Sequence, residues 1–360
     1  MKKFWKILLI VLAVLLAAVV LLFAWLTITE YRPDPVTALD VASSQDGALI
    51  PSDRELSIMS WNIGYAGLGE DSDFFMDGGT ESRAWSKERL EKNLDAIGET
   101  AAAQDADLIL LQEVDFDSDR SYHVDEALKL RTFDGLDVST DSVFAVNYHS
   151  AYLFYPITQP HGASNSGLLT TSKLGIRSAV RRSLPVETGV TKLLDLDRCY
   201  SVHRIPVADG GELVLYNLHL SAYTSDGTIA MEQLKLLLAD MQSEYDAGNW
   251  CVAGGDFNKD LLGDSAAWFG EADQEYSWAQ PIPAGTFEGL DISLVTPLDK
   301  DDPVPSCRNA DGPYHQGQYV LTVDGFLVTA NVTAESAVVI DTGFAWSDHN
   351  PVAMTFTLRP

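Results

Sequence analysis

Six short polar clusters interrupt otherwise apolar runs, and each carries a side chain able to hold a cation or move a proton. They are Trp61-Asn62-Ile63, Leu111-Gln112-Glu113-Val114, Asn217-Leu218-His219-Leu220, Gly254-Gly255-Asp256-Phe257-Asn258, Val323-Asp324-Gly325 and Ser347-Asp348-His349-Asn350-Pro351. Glu113, Asn62 and Asp348 offer hard oxygen donors of the kind Mg2+ prefers, with several waters kept on the ion. Asp256 and Asn258 are two apart, so in extended chain both face the same way. A carboxylate and a neutral amide aimed at one spot suit a phosphate oxygen or a hydrated nucleophile. His219 and His349 suit proton transfer near neutral pH, and an Asp partner would fix the tautomer and support an imidazolium. Spacing typical of zinc sites, with clustered Cys or His, is absent.

Taken singly, each cluster has an ordinary structural explanation. Asn62, Asp256 and Asn258 could be turn formers, Glu113 an exposed strand end, His219 a satisfied core histidine, and Asp324-Gly325 a hairpin turn. Their joint occurrence at the ends of apolar strands carries more weight, because loops on a rigid scaffold are where function concentrates.

The elements that must position them alternate between strand and helix patterns. Strands are expected at 56–63, 108–114, 151–154, 167–171, 199–207, 213–220, 250–257, 321–328 and 352–358. Ser86 can cap a helix whose apolar face is Leu90, Leu94, Ile97 and Ala101, and a second amphipathic helix is expected over 229–245. The Gly- and Asp-rich stretch 71–85 contains Phe74, Phe75, Met76, Asp77 and Arg83 and is too long for a mere connector. Its apolar side chains either pack on one another or form a substrate rim or membrane-contacting lip. Together these segments imply one α/β domain over 53–360, with layered sheets and helices outside.

Ahead of this domain, Ile7 to Thr29 is 23 residues without a charge, about 35 Å as a helix and enough to cross a ~30 Å hydrocarbon core. Lys2, Lys3 and Lys6 precede it and Glu30 and Asp34 follow, so the positive-inside rule puts the short N-terminus in the cytoplasm and the domain outside the cell. A cleaved signal peptide is the competing reading; the bulky Phe23, Trp25 and Leu26 argue for an uncleaved anchor over 1–29. Residues 30–52, with Pro33, Pro35, Ser43, Ser44 and Gly47, read as a juxtamembrane linker.

In order and spacing, the W-N-I, L-Q-E, N-L-H-L, G-D-F-N and S-D-H-N-P-V elements resemble the endonuclease/exonuclease/phosphatase superfamily, from about residue 56 to 358. The resemblance implies a four-layered α/β sandwich, two mixed β-sheets packed face to face with helices outside. It also implies roles. Glu113 would be the main Mg2+ ligand (Mn2+ being the alternative metal), with Asn62 beside it and Asp348 on the metal side. His349, held by Asp324, would act as general base or phosphate contact, and His219 would contact phosphate or assist the leaving group. Asp256 and Asn258 would position nucleophile and phosphoryl oxygens. Arg198 resembles a phosphate-contacting arginine of the family, against the plain reading of a surface arginine. Such chemistry suits the residue set, since phosphoryl transfer asks mainly for charge neutralisation and in-line placement.

Charge narrows the substrate. The chain has 24 basic and 52 acidic residues, and leaving out Lys2, Lys3 and Lys6 gives 21 against 52, a net of −31 for the remainder. That argues against passive nucleic-acid binding through a basic surface, although salt limits the field's reach to about 8 Å. The expectation is a phosphodiesterase acting on a phosphate ester, such as a lipid headgroup, at the outer membrane face, as a monomer. An extracellular nuclease, a phosphomonoesterase and a catalytically silent binding module are the alternatives. Cys199, Cys251 and Cys307 are too few and too scattered for a disulfide framework, and Cys251 reads as a buried thiol. His149 and His161 read as ordinary histidines.

Overall fold

The structure is a computed structural model that describes residues 2–43, 49–51, 53–136, 141–186, 197–222, 228–270 and 278–359. In chain order the elements are α1 (Lys2–Thr29), β1 (Val36–Leu39), β2 (Val41–Ala42), β3 (Leu56–Asn62), α2 (Lys87–Ala103), β4 (Leu108–Asp115), α3 (Glu126–Arg131), β5 (Asp141–Leu153), β6 (Gly162–Ser172), β7 (Ser178–Ser183), β8 (Cys199–Pro206), β9 (Glu212–His219), α4 (Thr228–Asp246), β10 (Trp250–Asp256), α5 (Ser265–Phe269), β11 (Ile292–Val295), β12 (Cys307–Arg308), β13 (Val320–Leu321), β14 (Asp324–Thr329), β15 (Val332–Val339) and β16 (Val352–Leu358). One seven-stranded sheet runs β1-β7-β8-β9-β10-β14-β11 and the other β15-β16-β3-β4-β6-β5-β2.

Each sheet has one parallel pair near its middle, β3 with β4 and β9 with β10, and the rest of its pairs are antiparallel. A helix bridges each parallel pair, α2 in one and α4 in the other, as a parallel connection requires. Ser86 caps α2 by accepting from Arg89 N–H, as its position in the sequence suggests.

Alternation along the strands builds the layers. Ile58 of β3, Leu108 and Leu110 of β4, Leu213 and Leu215 of β9 and Val252 of β10 all join the core between the sheets, with Phe326 and Phe356. Their neighbours face outward. Met59, Trp61, Ile109 and Leu111 pack under α2 with Leu90, Leu94, Ile97 and Ala101. Val214, Tyr216, Leu218, Cys251 and Ala253 pack under α4 with Leu234, Leu237, Leu238 and Met241. The result is the four-layered sandwich that the family resemblance implies.

The 30–52 stretch departs from the linker expectation. β1 pairs with β7 and β2 with β5, so this segment adds an edge strand to each sheet, and Ile50 is fully buried and bridges Val207. The chain crosses from one sheet edge to the other at Asp40, and the two strands it joins are too short to show a period. Lys2–Thr29 is one helix with mean hydropathy 3.5 over its best window and with none of that window buried, long and apolar enough to cross a membrane.

Candidate active site

The inward face of the central strands changes character toward one end of the sandwich. Beyond the apolar core it continues as Ser60, Gln112, Thr170 and Asn217, all buried. Gln112 Nε2 donates to Asn217 Oδ1 (2.9 Å), and Asn217 Nδ2 donates to Thr170 Oγ1 (3.1 Å) and Leu169 O (3.2 Å). This polar layer closes the core. One more step along the same face brings Asn62, His219 and Asp256, with Asp324 paired opposite Asp256 across the ladder. Alternation alone thus sends residues more than 190 positions apart to one spot.

Glu113 gets there differently. Strict alternation would turn it toward α2 with Ile109 and Leu111, yet the register shifts between Leu111 and Val114, and Glu113 takes φ +53°. This bulge puts Val114 back on the α2 side and turns the Glu113 carboxylate into the site. At Gly255 the reason for glycine is contact, since a Cβ there would sit 2.0 Å from Leu218 O of the neighbouring strand.

Around these strand ends a cavity of about 320 Å3 is lined by Asn62, Glu113, Arg198, His219, Asp256, Asn258, Asp348 and His349, among others. Of the sequence-nominated residues, only Asp324 is not on its wall; it lies behind His349, with Oδ2 2.8 Å from His349 Nδ1. Ser306 Oγ also donates to Asp324 Oδ2 (2.8 Å). His349 Nε2 lies 3.5 Å from Cys307 Sγ and 3.9 Å from Asp256 Oδ2, and His219 Nε2 lies 3.2 Å from Asp256 Oδ2. Asp256 is therefore flanked by two imidazoles.

Two details differ from expectation. Asn62 Oδ1 accepts from Gly64 N–H (3.0 Å), which turns its NH2 toward Asp256 Oδ2 (3.1 Å) and Glu113 Oε1 (3.4 Å). In this arrangement the Asn62 amide bridges two carboxylates. Asn258, expected on extended chain beside Asp256, instead has φ +48°. Its N–H donates to Asp256 Oδ1 (2.8 Å) and its Nδ2 to Leu220 O (2.8 Å), a turn that clamps the end of β10.

The environment separates the titrating groups. Burial pushes the Asp256 carboxyl up to about 7, against the pull of His349. His219 is driven well below the usual imidazole range by burial and then by the charge of Arg198. His349 moves the other way: burial opposes its charge, but Cys307 and Asp324 carry it well above that range. Since burial pushes the Cys307 thiol itself up to about 12, the thiol is neutral at neutral pH and Asp324 is what sustains the imidazolium. Opposite displacements of paired groups are how acid and base roles become distinct.

Several wall residues were not legible in the sequence. Arg120, one basic residue in an acidic run, grips Asp115 with two bonds (Nε 3.0 Å, Nη2 2.8 Å), reaches Glu113 Oε2 at 3.4 Å, and stacks 4.0 Å from the Tyr65 ring centroid. Arg308 is buried with its Nη atoms on the carbonyls of Gly69, Ser72 and Gly312. His161, read as an ordinary histidine, lines the cavity beside Phe74, Phe75 and Met76. The 71–85 stretch is both self-packed and part of the rim: Phe74 and Phe75 touch with ring centroids 4.8 Å apart, and both line the cavity.

A model of the Endonuclease/Exonuclease/phosphatase family matches residues 59–349. The chain belongs to this family. An endonuclease/exonuclease/phosphatase from Beutenbergia cavernae DSM 12333 superposes with a TM-score of 0.55 at 20% identity, covering 85% of this chain and 72% of that one. ANGEL2, a 2',3'-cyclic phosphatase, gives 0.57 at 16% identity over 89% and 99% of the two chains. The human Nocturnin catalytic domain, solved with a bound sulfate anion, gives 0.52 at 15% over 89% and 97%. At these identities the likeness concerns the fold. No curated protein sequence matches the chain.

A divalent cation fits the family site as built here. Among the described residues, Asp256, Asp324 and His349 bring donor atoms within 4.8 Å of one another. Asp324 and His349 are already bonded to each other, however, which makes them an oriented dyad. The better donors are the cavity carboxylates Glu113 and Asp348. Burial raises Asp348, so its ionised form is held at a cost that a cation would offset.

Proposed function

We propose that this protein hydrolyses phosphodiesters with the help of Mg2+ or Mn2+, and that α1 holds the catalytic domain at the outer face of the membrane. The observation that carries the reading is the convergence, on one cavity floor, of an Asp-oriented histidine, a second histidine and three carboxylates from strand ends far apart in sequence. A bound cation would act as a Lewis acid, stabilising charge on the phosphoryl oxygens. Glu113, steadied by Arg120 and Asn62, and Asp348 are the residues to hold it. Asp256 suits the role of base, because a carboxyl displaced to about 7 can take a proton from water near neutral pH. His349, kept cationic by Asp324, would hold a phosphoryl oxygen, with Arg198 beside neutral His219 as further contacts. Asn258 fixes Asp256 by donating to its Oδ1.

The test is hydrolysis of a bis-aryl phosphodiester by the full chain with Mg2+ or Mn2+, with EDTA abolishing it. Glu113→Gln and His349→Ala should each lower kcat by at least about 100-fold, the scale of one lost electrostatic or proton-transfer group. Equal rates for the wild type and both variants would refute the site.

A further inference from the structure

The connection from β5 to β6 differs from the rest of the surface in both charge and polarity. Residues 142–172 are 31 positions without Asp, Glu, Lys or Arg, in a chain with 24 Lys and Arg and 52 Asp and Glu among 360. At the tip of this hairpin Phe154, Tyr155 and Ile157 are 46%, 61% and 87% exposed, and Met76 lies half exposed on the adjoining 71–85 stretch. Single exposed apolar side chains are ordinary, whereas three within four residues make a patch, and patches mark contact surfaces.

The tip is held in place. Ser82 Oγ donates to Gln159 O (2.6 Å), Arg83 Nε donates to Pro160 O (2.8 Å), and the Phe75 ring lies 5.6 Å from Tyr155 and 5.8 Å from His161. Phe75, Met76, Leu153 and His161 also line the cavity, so the apolar tip continues into the cavity wall.

What would cover this patch follows from where α1 ends. Tyr31, two residues past Thr29, lies against His149 of β5 with ring centroids 5.8 Å apart, and the Arg181 guanidinium sits 5.6 Å from the Tyr31 ring. His149 is four residues before Leu153, roughly 13 Å along a strand. One strand, β5, therefore links the end of the apolar helix to the apolar tip. An uncharged patch also spares an otherwise acidic domain the repulsion of an anionic leaflet, and aromatic side chains favour the headgroup level.

We infer that the Phe154–Ile157 tip dips into the outer headgroup region of the bilayer that α1 crosses, so that the cavity mouth opens on the membrane and receives phosphate esters carried by lipids. The inference rests on α1 remaining attached, and on the phosphodiesterase reading only for what the cavity receives.

The full chain, reconstituted in phosphatidylcholine/phosphatidylglycerol vesicles, tests it. An environment-sensitive fluorophore is placed on Ile157→Cys or, as reference, on Asp209→Cys in the β8–β9 turn, at the far end of β9 from His219. Cys199, Cys251 and Cys307 are buried, so labelling is selective. Spin-labelled lipid should quench position 157 and spare 209; equal quenching at both overturns the inference, as does recovery of a mature chain without α1 in the soluble fraction. In a second arm, a Tyr155→Asp/Ile157→Asp variant should lose about tenfold on a vesicle-borne phosphodiester, the scale of one apolar side chain's burial, and keep its rate on a soluble aryl diester. Equal loss on both substrates overturns the membrane role. A wild type inactive on every ester would sink the hydrolase reading and leave the quenching result standing.

Discussion

Glu113 and Asn258 hold left-handed backbone conformations that most L-residues avoid, and both line the cavity. Such a conformation costs a non-glycine residue roughly 1–2 kcal/mol, so each side chain is kept there against a local preference. Replacement at Glu113 should separate stability from activity. Glu113→Gly should be more stable than Glu113→Ala by about 1 kcal/mol, because glycine accepts positive φ freely, while both are inactive. Urea denaturation with activity assays would check this, and an alanine variant as stable as the glycine one would mean that the bulge relaxes when the carboxylate is gone. The bulge also marks where reading residues from the sequence stops. Residue types at strand ends are visible there, and for Asn62, His219 and Asp256 alternation even gives the direction. For Glu113 alternation gives the wrong face, and only the register shift corrects it. Arg120 is invisible for a related reason: its partners, Asp115 and Glu113, are local in sequence but meet it only through the fold of an irregular loop.

At the scale of elements, the two strand-helix-strand units were readable because long amphipathic helices and fully apolar parallel strands carry strong periodic signals. β1, β2, β7, β11, β12 and β15 were not. They are edge or near-edge strands, short or partly exposed, and their sequences record only half of a pattern. β8 carries a consequence for pH. His203 on this strand is fully buried, bonded through Nδ1 to Leu215 O (3.1 Å), and burial lowers it to about 4. In the unfolded chain the same imidazole takes its proton near 6.5. The unfolded state therefore binds more protons as pH falls below 6.5, and the stability present above that pH drains away until about pH 4. Between pH 7 and 5 this one residue should remove about 2 kcal/mol. His203→Leu, which keeps the site apolar, should flatten the melting profile over that interval by a comparable amount. An unchanged slope would mean that the ring finds a partner for its charge in the fold. His161, lowered to about 3 by burial, should leave a residual slope in the variant.

For the whole molecule, net charge and the location of its few cations pull in different directions. The chain carries −28 overall, yet Arg120, Arg198 and Arg308 all line the cavity. A small phosphodiester that enters the cavity would come within reach of these local cations as well as of the cavity carboxylates, whereas a duplex must bring dozens of phosphates up to an acidic surface. Salt distinguishes the two cases. The Debye length shortens from roughly 20 Å near 0.02 M to about 7 Å near 0.2 M, so added salt weakens the repulsion of DNA more than it weakens a contact inside the cavity. At fixed Mg2+, the ratio of kcat/KM for DNA to that for a bis-aryl diester should rise across this range. A nuclease that binds through a basic surface does the opposite, losing affinity as counterions compete for its phosphate contacts. Should the ratio instead fall steeply with salt, the acidic surface is not what the nucleic acid meets, and a lipid-facing phosphodiesterase would have to give way to a nuclease.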